Sequence, residues 1–189
     1  MGKLFVTIYC LPLWHTAALV AIAGFCWRWA CRWYLRAERK NRCFALIAAV
    51  LLLFVWSTGI FWQTVLSRES GMHEANWQLF AQLKAYLNGG DKELIRTGWM
   101  NALLFVPGGV LLTAVLPKGW NPCVRAVLVF ILLGGFSTGI ELLQFQYALG
   151  VAEADDIFCN AMGAAVGILI QELCWRWAVQ HPVPTDKTE

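Results

Sequence analysis

Five apolar runs, each close to the length that crosses a bilayer, constrain this chain more than anything else in it. They fall near residues 4–27, 44–66, 100–116, 124–149 and 157–178, and a membrane-spanning helix needs about 20 apolar residues. The third is short and carries Pro107-Gly108-Gly109, which leaves its ends open. Hydrophobic residues make up 59% of the chain and charged ones 14%, against about 45–50% and roughly a quarter in a soluble domain. That balance excludes a disordered chain, a disulfide-stapled secreted scaffold and a basic nucleic-acid binder. With 189 residues, one compact bundle is expected rather than two domains. The expected fold class is all-α: a polytopic membrane helix bundle with five transmembrane helices.

Charge placement orients the bundle. Between the first two runs stand Arg28, Arg32, Arg36, Arg39, Lys40 and Arg42, with Glu38 the one acid. Loops rich in Lys and Arg stay in the cytoplasm, so the N-terminus is expected outside and the C-terminus inside. Lys118, Arg125, Arg176 and Lys187 then also fall inside. Trp27, Trp29, Trp33, Trp120, Trp175 and Trp177 sit at the inner interface and Trp62 and Trp99 at the outer one, where amphipathic rings prefer to lie. The first run is not read as a cleaved signal peptide, because its charges come after the apolar stretch instead of preceding it.

Two segments face outward on this reading. In the longer, about 67–99, the apolar residues Leu79, Phe80, Leu83, Tyr86 and Leu87 recur at helical spacing. A short amphipathic helix over Trp77–Leu87 is expected on the outer face. Asn88-Gly89-Gly90-Asp91 ends it, with Asp91 able to cap the next element. The shorter segment is the link 149–155. The chain therefore divides into two N-terminal spans with their basic loop (1–66), an outer loop with three spans (67–178), and a tail (179–189) read as a disordered cytoplasmic end.

The seven cysteines form no CxxC pair, and the three histidines are scattered with no HExxH. Neither a disulfide framework nor a zinc site is expected; cysteine here is a small hydrophobe.

The informative residues are polar ones inside spans, where a carboxyl costs roughly 2.5–3.5 kcal/mol on insertion scales. Ser137, Glu141 and Gln144 share one helix face at spacings of four and three. Glu141 is the deepest acid. The fifth run opens with Glu153, Asp155 and Asp156 and continues along one face through Asn160, Gly163, Gly167 and Gln171. Small residues at that spacing let helices approach closely. Asn101 stands at the outer end of the third run. Asn101, Glu141, Gln144, Asp155, Asp156 and Asn160 are thus expected in the outer half of the bundle, with Glu141 close enough to Asn160 or Gln144 to share a hydrogen-bond network. Plain structural roles compete with a site. Asp155 and Asp156 suit a helix N-terminus, Gln144 and Asn160 suit interhelical hydrogen bonds, and the glycines suit packing.

Three ordered blocks resemble the VanZ-like family of bacterial membrane proteins. Asn101-Ala102-Leu103-Leu104-Phe105-Val106-Pro107-Gly108-Gly109 is similar to its N-x-L-L-F-x-P-x-G block. Ser137-Thr138-Gly139-Ile140-Glu141-Leu142-Leu143-Gln144 is similar to its S-x-x-I-E-L-x-Q block. Glu153 to Gly163 resembles its D-x-D-D-x-x-x-N-x-x-G block, continued by Gly167. Asn76 to Phe80 resembles a weaker upstream N-L-x-P-F block. Three departures stand out: Glu153 for the more usual Asp, Gly109 for a bulkier residue, and Leu79 for the Pro before Phe80. The resemblance implies a multi-pass protein of the bacterial cell membrane and lowered susceptibility to teicoplanin-type glycopeptides. It attaches no reaction.

These residues admit two functions of different classes. In one, Asn101, Ser137, Glu141, Gln144, Asp155, Asp156 and Asn160 bind a lipid, a lipid-linked cell-wall (peptidoglycan) precursor or the glycopeptide's target by hydrogen bonds, with the bilayer as the other partner and no nucleic acid. In the other, the protein is an enzyme acting on such a precursor. Glu141 is then general acid or base, with Asp156 beside it, and Asp155 and Asp156 could hold a divalent cation as cofactor through hard oxygen ligands. No Ser-His or Cys-His pair is visible in the sequence, which favours binding. A transporter is a weaker third reading, since five spans without a repeat do not suit alternating access.

Overall fold

The structure, a computed structural model, describes residues 13–71, 73–90 and 92–181. Helix α1 (Leu13–Arg36) is followed by α2 (Arg39–Phe61), which runs into a π-helical turn over Trp62–Leu66. Strand β1 (His73–Asn76) and the short helix α3 (Ala81–Leu87) come next. Beyond them lie the long helices α4 (Lys92–Val115) and α5 (Pro122–Gln146), strand β2 (Gly150–Glu153) and the last helix α6 (Ala154–Gln180). Four helical stretches are long and apolar enough to cross a membrane: Arg39–Leu66, Ile95–Val115, Pro122–Gln146 and Ala154–Gln180. This is a membrane-type protein. The fifth expected span, 4–27, begins outside the described residues, and helix α1 is not among the four. The tail from 182 onward and Asp91 also lie outside the described residues.

The described residues form two compact units, one of 13–45 with 172–181 and one within 46–171. In the first, the Arg28 guanidinium stands 3.6 Å above the Trp177 ring, a cation–π contact, and Tyr34 meets Trp175 edge-on.

The second unit holds the core. Ile60, Val65, Phe105, Val129, Leu133, Ile140, Ala164 and Ile168 are buried together, with Trp56 and Phe136 packed against them. Helices α4 and α6 touch backbone to backbone. A Cβ on Gly163 would stand 2.6 Å from the Ala102 carbonyl carbon and closer still to its oxygen. A Cβ on Gly167 would press on the Val106 carbonyl, and one on Gly109 would press on the Ala164 carbonyl. Only hydrogen fits at these three positions, so the small-residue stripe is a packing seam. Pro107 sits inside α4 without ending it. It removes one helical donor, and the Trp56 indole donates to the adjacent Leu104 carbonyl at 2.9 Å.

The expectation of an all-α chain needs one correction. Strands β1 and β2 pair in parallel, with His73 opposite Gly150 and Asn76 opposite Glu153. The outer helix also starts later than its apolar spacing suggests, at Ala81 instead of Trp77. The Asn76 side chain accepts from the Gln78 backbone at 3.2 Å, and Phe80 takes the left-handed conformation at φ 61°. Both hold 77–80 out of the helix. At the other end Gly89, at φ 90°, lets the chain turn out.

Candidate functional site

The face of α5 that carries Ser137, Glu141 and Gln144 is buried, each residue being 3% exposed or less. Buried polar groups must find partners, and these three find different ones. Ser137 accepts from the Asn160 amide of α6 at 2.9 Å. Glu141 accepts from the backbone N–H of Glu153 in β2 at 3.0 Å. Gln144 donates to the Thr64 carbonyl in the π-helical turn at 2.9 Å. Among the described residues no direct hydrogen bond joins Glu141 to Asn160 or Gln144. The reason is the strand, which brings a backbone N–H to Glu141 while each amide meets a neighbour at its own depth.

At the start of α6 the carboxyls take separate tasks. Both oxygens of Asp155 are engaged by backbone: one by the Phe80 N–H and the other by the Gln82 N–H at 2.8 Å. Asp155 therefore caps the outer helix α3, not its own helix. Gln82, buried, reaches from α3 to Glu153 at 2.7 Å and to Asp156 at 3.4 Å. The Asn101 side chain also lies within polar reach of Asp156. Glu153 and Asp156 lie within electrostatic reach of Glu141, and Arg68 acts on both Glu141 and Asp156. Arg68 itself donates to the Leu149 carbonyl at 3.3 Å.

The structure thus brings Asn101, Glu141, Asp155 and Asp156 into one polar cluster with Gln82, Glu153 and Arg68. Ser137 and Asn160 form a separate pair about one helical turn, or roughly 5 Å, deeper, and Gln144 belongs to the contact with α2's end. Sequence reasoning misses Gln82, because one glutamine on a short amphipathic helix carries no signal without knowing where the helix docks. Arg68 escapes it for the same reason. Glu153 is legible only as part of a block, and its backbone role depends on a strand pair the sequence does not announce.

A divalent cation does not fit the Asp155–Asp156 pair. Asp155 has both oxygens committed to backbone donors, and among the described residues no three His, Cys, Asp or Glu side chains are grouped to hold a metal. Among the described residues a Ser–His nucleophile is likewise not assembled: the Ser137 hydroxyl accepts from Asn160, and His73 packs on Phe145 with ring centroids 4.4 Å apart. What the cluster offers is acceptor oxygens, several close together and partly desolvated, beside one guanidinium.

The Ser137–Asn160 pair makes a direct prediction. Ser137→Ala leaves a buried amide donor without its acceptor, which costs about 1–2 kcal/mol. The midpoint of thermal unfolding in detergent should fall by about 2–8 °C, whereas Ser57→Ala, at an exposed hydroxyl, should leave it in place. An unchanged midpoint for Ser137→Ala would mean that the pair contributes nothing.

The chain matches no curated protein and no solved structure. A family model described as VanZ/LLP1 matches residues 43–175, well over half of the chain, taking in α2 from Cys43 onward together with the whole polar cluster. All three blocks lie inside that match, and the residues they contribute are the ones that cap, bridge and pack in the second unit; the chain belongs to the VanZ/LLP1 family.

Proposed function

We propose that this protein lies in a bacterial cell membrane with its N-terminus outside and its C-terminus inside, and binds a lipid or lipid-linked cell-wall precursor at an outward-facing polar cluster. Binding there lowers susceptibility to teicoplanin-type glycopeptides. The observation that carries the reading is the convergence of Glu141, Glu153 and Asp156 from α5, β2 and α6 with Gln82 and Asn101 from α3 and α4. Carboxyls held out of water are costly, and four within one cluster, with Glu141 and Asp155 buried, need a purpose beyond capping. Asp155 has such a capping purpose; Glu141 and Asp156 are only partly explained by their partners. Binding is preferred to catalysis by Glu141 because, among the described residues, no Ser–His or Cys–His nucleophile is assembled beside it.

Expression in a glycopeptide-susceptible bacterium should raise the teicoplanin concentration needed to stop growth. Asp156→Asn should lose that protection at an equal membrane level. Asparagine equals aspartate as a helix cap, so the loss would report the charge, not the cap. No protection from the native chain at a verified membrane level would overturn the resistance reading. A labelled lipid-linked precursor should bind the purified protein saturably and without turnover; turnover would make it an enzyme.

A further inference from the structure

Helix α1 carries an exposed aromatic face. Phe25, Trp29 and Trp33 recur every four residues and are 62%, 61% and 54% exposed. Arg36, three residues beyond Trp33 and seven beyond Trp29, continues that face at the end of the helix. Arg39, Lys40 and Arg42 follow in the first turn of α2. From Phe25 to Arg36 the face runs about 16 Å, at 1.5 Å per residue. That is close to half of a hydrocarbon core of about 30 Å.

Three of the cations are uncommitted. Among the described residues the side chains of Arg36, Arg39 and Lys40, all exposed, enter no ion pair or hydrogen bond. Arg28 and Arg32 differ, standing 3.6 and 5.2 Å from the Trp177 ring, and Arg42 donates to the Ala37 carbonyl at 2.7 Å. Glu38 is the one acid between residues 28 and 42. Nor do Arg39 and Lys40 serve their own helix, since they stand at its N-terminus, where the dipole disfavours positive charge. Orientation in the bilayer accounts for cations on one side of it, but not for the aromatic face that leads to them.

Depth identifies the partner. Arg39 opens the stretch Arg39–Leu66, long and apolar enough to span a membrane, so Arg36, Arg39 and Lys40 stand where a span meets the lipid headgroups. A nucleic acid or an acidic peptide would neutralise the cations and leave the aromatic face uncovered. In a zwitterionic lipid the head's own cation offsets its phosphate. An anionic phospholipid matches both parts of the surface, with a chain for the aromatic rings and an uncompensated phosphate for the cations.

We propose that Phe25, Trp29, Trp33, Arg36, Arg39 and Lys40 form a binding site for an anionic phospholipid, its chain along the aromatic face and its phosphate among the three cations. The site shares no residue with the polar cluster around Glu141 and does not depend on the function proposed for that cluster.

The test uses the full chain in detergent with two probes, phosphatidylglycerol and phosphatidylcholine, each carrying a photoreactive group in one acyl chain. Each cation near an anionic surface is worth about fivefold in affinity. The phosphatidylglycerol probe should therefore label Phe25, Trp29 and Trp33 about tenfold more than the phosphatidylcholine probe at low salt. Ile131 and Leu132, exposed on α5, report ordinary contact with any chain and should be labelled equally by both. Arg36→Gln with Arg39→Gln and Lys40→Gln should bring the ratio on α1 to about one. Lys84→Gln, which removes an exposed cation from α3, should leave it in place. If the triple variant does not fold, the native chain in 1 M salt serves instead, because a screening length of about 3 Å should erase the preference. A ratio near one on the native chain at low salt overturns the site, as does a ratio that survives both the triple substitution and high salt. An equal preference at Ile131 and Leu132 would mean attraction to the whole protein, and would also overturn it. Displacement of the phosphatidylglycerol probe by a polyglutamate peptide or an oligonucleotide at equal charge concentration would overturn the lipid as the partner.

Discussion

Gly163→Ala is expected to leave little folded protein. The added methyl would stand 2.6 Å from the carbonyl carbon of Ala102, with the oxygen nearer still. The obstacle is backbone, so no rotamer change relieves it. Helices α4 and α6 would have to part, which would open the seam at Gly109 and Gly167 as well. Overpacking by one methylene typically costs about 1–3 kcal/mol, and a clash with backbone in a helix seam belongs at or above the upper end. The comparison that gives this meaning lies in α5. Gly134, Gly135 and Gly139 have no atom within 4 Å of an added Cβ, so alanine there should be neutral or stabilise by up to about 1 kcal/mol through helix propensity. Monodisperse yield after detergent extraction, with the thermal midpoint, checks both. A Gly163→Ala protein that extracts and unfolds like the native chain would show that the seam is loose.

Those same glycines show how much is legible in the sequence. Gly163 and Gly167 sit four residues apart on an apolar run, which is enough to identify a helix-packing face but not its partner. Apolar runs likewise announce helices because bilayer length fixes how many residues each needs. The boundaries move where local backbone chemistry intervenes: α3 begins at Ala81 because Asn76 and Phe80 hold the chain in turns, and α4 extends back to Lys92. The two strands are not legible at all. Four residues each, separated by more than seventy positions, they pair only once α5 and α6 place Gly150–Glu153 beside His73–Asn76. That pairing decides the site. It carries the Glu153 N–H to Glu141 and holds α3 where Gln82 can reach Glu153 and Asp156. The stripe on α5 names the right residues, and the third dimension assigns each a different partner.

The Glu141 carboxyl has two separable duties, and two substitutions pull them apart. One oxygen accepts the Glu153 N–H at 3.0 Å, tying α5 to β2. Glu141→Gln retains a carbonyl oxygen for that bond and nearly the same volume. Its amide donors would face the acceptor carboxyls of Glu153 and Asp156, which bear on Glu141. The fold should therefore survive, with a thermal midpoint within about 4 °C of the native chain, equivalent to roughly 1 kcal/mol. Glu141→Leu keeps the bulk but removes the acceptor, leaving the Glu153 N–H without its partner in a largely dry place. That costs about 1–3 kcal/mol and should loosen β2 and, through Gln82, the outer helix. Amide hydrogen exchange at Glu153 and Gln82 should rise in the leucine variant and stay low in the glutamine one. Protection against teicoplanin should be lost in both, although only the leucine variant is structurally impaired. If Glu141→Gln instead protects fully at an equal membrane level, the negative charge on Glu141 is unused, and the carboxyl serves only to hold the strand.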